Sequence, residues 1–131
     1  MKAVQNDVGF IFETICAQYL QRMRGGRPGK WWGSNRYSKT SEEIDIVMTK
    51  VDDYFKKIGL FVECKYKQSA IGTDVLETLM ERSDMVNGYG SKQYAICSKS
   101  GFTDGLKDAD DVILLSFDDM IRGWPYKNPE H

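Results

Sequence analysis

Gly59-Leu60-Phe61-Val62-Glu63-Cys64-Lys65-Tyr66 and, upstream, Glu43-Ile44-Asp45-Ile46-Val47 are the two stretches whose reading decides the fold. In the first, Leu60, Val62, Cys64 and Tyr66 alternate with Phe61, Glu63, Lys65 and Lys67, the two-residue period of an extended strand. The charges fall on one side. In the second, Ile44, Ile46 and Met48 face one way while Asp45, Val47 and Thr49 face the other. Val51-Asp52-Asp53-Tyr54-Phe55-Lys56 reads as the turn between them, so an antiparallel pair would bring Asp45 beside Glu63. Two carboxylates and the Lys65 ammonium would then converge. Such a group suits a hard divalent cation and a phosphate, and it equally composes an ordinary ion pair on a solvated sheet face.

The flanking sequence supplies helices for both sides of such a sheet. Val8, Ile11, Phe12, Ile15, Cys16, Tyr19, Leu20 and Met23 recur at three- and four-residue spacing, which predicts a helix from Asn6 to Met23 with Asn6 as its N-cap. Glu13 lies on that helix. Arg24 to Gly29, rich in glycine and holding Pro28, predicts a loop, followed by a strand from Lys30 to Ser38. Asp74 and Glu77 have capping-box spacing at the head of a second helix reaching Val86. Gln93 to Ser98 reads as a strand, Thr103 to Asp108 as a short helix capped by Thr103, and Val112 to Ser116 as a buried parallel strand. The order helix, three strands, helix, strand, helix, strand predicts an α/β fold: one mixed sheet with helices on both faces.

Composition sets limits on function. With 131 residues and 41% hydrophobic content, the chain is read as a single domain over 1–131 with a real core. No apolar run approaches a membrane span and no secretory leader is evident, so a cytoplasmic protein is expected. The lone histidine is His131, which removes Ser-His-Asp and Cys-His chemistry, and no phosphate-cradling GxxxxGK[ST] or GxGxxG loop occurs. Cys16, Cys64 and Cys97 are widely separated among apolar neighbours and are read as buried free thiols, with no disulfide or thiolate metal site.

The net charge of -1 conceals an uneven distribution. No acid occurs between Thr14 and Ser41, where Arg22, Arg24, Arg27, Lys30, Arg36 and Lys39 surround Trp31, Trp32 and Tyr37. Cations interleaved with aromatics suit phosphates and stacked bases, and Lys67 extends the Lys65 side in the same sense. One of the two tryptophans should be core and the other surface. Glu42 and Glu43 read as solubilising charges at a strand edge.

Glu13 on the first helix, Asp45 in the second strand and Glu63-Cys64-Lys65 in the third resemble the PD-(D/E)XK nuclease superfamily, whose fold is called restriction-endonuclease-like. Ile44 stands where the superfamily name has proline. A nearer resemblance is to the uncharacterised C-terminal domain of archaeal-type AAA+ ATPases of the DEXX-box kind, carried by Gly9-Phe10-Ile11-Phe12-Glu13, Trp31-Trp32-Gly33, Glu43 to Val47, Glu63-Cys64-Lys65-Tyr66 and Ser98 to Phe102. The resemblance implies DNA as substrate, an ATPase module ahead of this domain in a longer protein, and Mg²⁺ or Mn²⁺ held by Asp45, Glu63 and the Cys64 carbonyl. Lys65 would be the catalytic ammonium and Glu13 an outer acid. A non-catalytic DNA- or protein-binding module on the same fold is the alternative.

Overall fold

A computed structural model describes residues 2–34 and 41–122. Arg36 and Lys39, read above as phosphate contacts, lie outside the described residues, as does Tyr37. The elements run α1 (Lys2–Arg24), β1 (Arg27–Ser34), β2 (Ser41–Val51), β3 (Lys57–Lys65), α2 (Thr73–Ser83), β4 (Ser91–Ser98), α3 (Asp104–Lys107), β5 (Val112–Ser116) and α4 (Phe117–Arg122). The five strands lie side by side in chain order; β1, β2 and β3 pair antiparallel, while β3, β4 and β5 pair parallel. The result is the expected mixed sheet with flanking helices.

Each face of the sheet owns a core. Phe12, Cys16, Tyr19 and Leu20 of α1 pack with Met120 of α4 over Ile46, Met48, Leu60, Val62, Ala95 and Cys97. On the opposite face Leu79 of α2 and Leu106 of α3 cover Ile44, Val47, Phe61 and Ile96. Strand β3 is buried on both faces, which is why its alternation carries apolar residues on each side; full burial of a residue such as Phe61 contributes roughly 2–3 kcal/mol.

Several boundaries differ from the sequence reading for identifiable reasons. Lys2-Ala3-Val4-Gln5 are competent helix formers, so α1 starts before Asn6, which is therefore internal and not a cap. Val8, Ile11 and Met23 are exposed, leaving a narrower stripe than predicted. The break after α1 is only Gly25-Gly26, whose φ of 74° and 104° reverse the chain so that β1 starts at Arg27. Gly72 caps α2 without a side-chain bond and Asp74 falls in the first turn, so the predicted capping box does not form. Thr103 does cap α3, accepting from Leu106 N. Strand β5 is half-buried at the sheet edge. The sequence reading omitted α4, although Ser116 and Asp119 form a reciprocal capping pair at its start: Asp119 N donates to Ser116 Oγ at 3.0 Å and Ser116 N to Asp119 Oδ2 at 3.1 Å.

Among the described residues, no helix is long and apolar enough to cross a membrane.

Candidate functional site

The site begins with a fault in β2. Gly29 pairs with Val47 but Trp31 pairs with Ile44, so Ile46 and Asp45 together oppose the single residue Lys30. This is a β-bulge, and it resets the alternation. Ile46 and Met48 belong to the α1-side core, whereas Ile44 joins Val47 in the α2-side core. The unbroken alternation predicted for Asp45, Val47 and Thr49 is thereby corrected: Asp45 lines a cleft of about 300 Å³ against α1, together with Ile46, Glu13 and Lys30.

The bulge also ends the ladder between β2 and β3, whose register runs from Val51↔Lys57 to Ile46↔Val62. Just past that point the Cys64 N–H donates to Asp45 Oδ2 at 2.9 Å. A side-chain oxygen thus takes over where the strand partner leaves off. Asp45 is held to the backbone of the Glu63-Cys64-Lys65 segment itself.

Glu63 and Lys65 follow the predicted alternation and stand on the α2 side with Phe61. Glu63 is buried, with Lys65 Nζ at 3.4 Å and Arg82 Nη1 at 3.5 Å from its Oε2. Its other oxygen, Oε1, is buried without a hydrogen-bond partner among the described residues. Burial, followed by the negative charge of Asp45, pushes the Glu63 carboxyl up to about 7, against the pull of Lys65 and Arg82. A half-satisfied buried carboxylate is costly, so this group is poised to take a proton or a cation.

Arg82 joins the site without a signal in the sequence. It lies three residues beyond buried Leu79 on α2, and a stripe drawn through apolar residues alone passes it by. Its Nε donates to Glu42 Oε1 at 2.7 Å and its Nη1 to the Glu43 carbonyl at 3.1 Å. Glu42 is therefore an ion-pair partner beside the site rather than a solubilising edge charge. Glu13 pairs with Lys30 at 3.2 Å; burial and the Asp45 charge raise its carboxyl above the ordinary value while Lys30 opposes them. Asp45 acts electrostatically on both Glu13 and Glu63, so the acids form two overlapping pairs around it.

The remaining basic and aromatic residues divide. Lys30 is engaged by Glu13 and lies 6.0 Å from the Trp32 ring centroid. Arg27 and Lys67 are exposed. Trp31 packs against the α2-side core and Trp32 is 67% exposed, which settles the order of the two tryptophans.

The cysteines are free and buried to half-buried, as expected, yet far from separate. Their three Sγ atoms all lie within 4.8 Å of one another, the one such group of His, Cys, Asp or Glu ligand atoms among the described residues. Hydrogen bonding within the cluster couples the three thiols: Cys97 is drawn below its usual range by Cys16 and Cys64, while Cys16 and Cys64 are themselves pushed up.

Sheet order and flanking helices make a restriction-endonuclease-like α/β fold. Among solved structures the chain is similar to the DNA modification-dependent restriction endonuclease AspBHI, at 13% identity and a TM-score of 0.56, over 86% of this chain and 30% of that one. That likeness shows the fold. Residues 1–83 match DUF234, described as archaeal and bacterial proteins of unknown function, and the chain belongs to this family. No curated protein matches it.

Proposed function

We propose that this domain is a metal-dependent nuclease that hydrolyses phosphodiester bonds of DNA. The observation that carries the reading is the buried Glu63 Oε1, without a partner among the described residues, on a carboxyl close enough to Asp45 to feel its charge, while the Cys64 N–H fixes Asp45 in place. Two oxygen donors of this hardness fit Mg²⁺ or Mn²⁺, held by Asp45 and Glu63 with the Cys64 carbonyl as a further donor. When bound, the ion supplies Lewis acidity and neutralises charge on the phosphate. Lys65, with a quarter of its side chain exposed, is placed to hold a phosphate oxygen or move a proton at its Nζ. Glu13, through its pair with Lys30, positions a cation on the Asp45 side. Arg27 and Lys67, with Arg36 and Lys39 from outside the described residues, would contact the DNA backbone.

The domain would stand in a longer protein carrying an AAA+ ATPase module, as the motif resemblance implies. One observation favours the non-catalytic reading: Arg82 and Lys65 already face Glu63 Oε2, a neutralisation that needs no metal. Plasmid nicking with Mn²⁺ or Mg²⁺ decides between them. Cleavage by the wild type that Lys65→Ala and Glu63→Gln abolish supports the nuclease; salt-sensitive DNA binding with no cleavage in any metal supports the binding module.

A further inference from the structure

Cys16, Cys64 and Cys97 come from α1, β3 and β4, and neither periodicity nor spacing requires them to meet. Cys64 and Cys97 are register partners across the parallel β3 and β4 pair, and Cys16 descends on them from the helix above. From these three sulfurs we infer a second metal site, distinct from the carboxylates and independent of the nuclease reading: a three-thiolate site for a soft monovalent cation of the copper(I) type.

The geometry is near what such an ion needs. A cation centred among three sulfurs no more than 4.8 Å apart sits at most about 2.8 Å from each, so reaching a metal–thiolate bond of about 2.3 Å takes movements of about 0.5 Å. Donor type then selects the ion. Thiolates favour soft cations over magnesium, calcium or manganese. Donor number selects again, because zinc in a closed site takes four ligands and no His, Asp or Glu atom among the described residues joins the three sulfurs at this spacing. Cys64 is the half-buried member of the three, while Cys16 and Cys97 are fully enclosed. Binding forms copper–sulfur bonds and releases the displaced thiol protons to solvent; no electron is transferred.

The site adjoins the carboxylates through one residue. Cys64 offers its sulfur to the thiol cluster and its N–H to Asp45, so a cation drawn among the sulfurs acts on the strand that anchors Asp45.

The test is anaerobic titration of the full chain with copper(I) delivered from a cuprous chelator, with Zn²⁺ as the comparison. One equivalent should be retained against the chelator, X-ray absorption of the loaded wild type should show three sulfur neighbours, and Cys97→Ser and Cys16→Ser should each weaken binding on the order of 100-fold. Copper retention no greater than in those variants, a copper environment of nitrogen or oxygen, or tighter retention of Zn²⁺ than of copper(I) would each overturn the assignment. The absorption measurement needs only the wild type, so a variant that fails to fold does not shelter the proposal.

Discussion

Asp45 Oδ2 accepts the Cys64 N–H at 2.9 Å at the point where β2 and β3 part, so one carboxylate both closes the sheet and lends its charge to the Glu63 site. The two roles separate by substitution. Asp45→Asn keeps an acceptor for the amide and removes a negative charge near Glu63, so its stability should equal or exceed that of the wild type. Asp45→Ala leaves the N–H without its partner, at a cost of about 1–3 kcal/mol. Both should lose metal-dependent cleavage by about 100-fold or more. Urea unfolding and plasmid nicking on the same preparations check the pattern; an Asp45→Asn protein that still cleaves would remove Asp45 from the chemistry.

Glu63 predicts a pH dependence of stability. Its carboxyl is raised from 4.5 to about 7 in the folded protein, first by burial and then by Asp45, so the folded state binds this proton more tightly than the unfolded chain does. The contribution is fully present below about 4.5 and is lost as pH rises through about 7. Metal-free protein should therefore lose on the order of 2–3 kcal/mol across that window, seen as a falling urea midpoint. Glu63→Gln should flatten the curve. Saturating Mn²⁺ should flatten it too, because a bound cation favours the ionised carboxylate.

Glu63 and Lys65 were legible because β3 keeps its two-residue period from Leu60 to Lys65, with apolar residues on both faces to mark it. Asp45 was legible as a residue but not as a direction, since the bulge opposite Lys30 rephases β2 and no residue there announces it. Helix α4 is marked in the sequence only by the three-residue spacing of Ser116 and Asp119. Arg82 and the cysteine cluster lie beyond local pattern. A guanidinium on a helix looks solvated until the partner strand is placed, and three cysteines distant in sequence meet only once α1, β3 and β4 are stacked.

The turn between β2 and β3 makes a separate prediction about stability. Asp52 Oδ1 accepts from Tyr54 N at 2.8 Å and from Lys56 N at 2.9 Å, and Phe55 between them has φ of 63°. Phenylalanine is a poor occupant of left-handed backbone, and here its ring is 88% exposed and offers little packing in return. Phe55→Asn should stabilise the domain by about 0.5–1 kcal/mol, and Asp52→Ala should destabilise it by about 1 kcal/mol. Thermal or urea unfolding reads both. A destabilising Phe55→Asn would show that the exposed ring makes contacts of its own.

Arg82 bridges two acids that approach from different strands: its Nε lies 2.7 Å from Glu42 Oε1 and its Nη1 3.5 Å from Glu63 Oε2. With a quarter of its side chain exposed, solvent screens part of the interaction, so Arg82→Ala should destabilise by about 1–3 kcal/mol at pH 8 rather than by the larger cost of breaking a dry pair. At pH 5 the loss should shrink, because Glu63 is then protonated and needs less compensation. Lysine keeps the charge but not the fork, so Arg82→Lys should fall between alanine and wild type. Metal binding supplies the decisive readout. Where Arg82 neutralises a carboxylate that also serves an ion, removing it leaves Glu63 more negative, and Mn²⁺ should bind more tightly to Arg82→Ala than to wild type by calorimetry. Weaker or unchanged Mn²⁺ binding would mean that Glu63 is a structural partner of Arg82 and not a ligand.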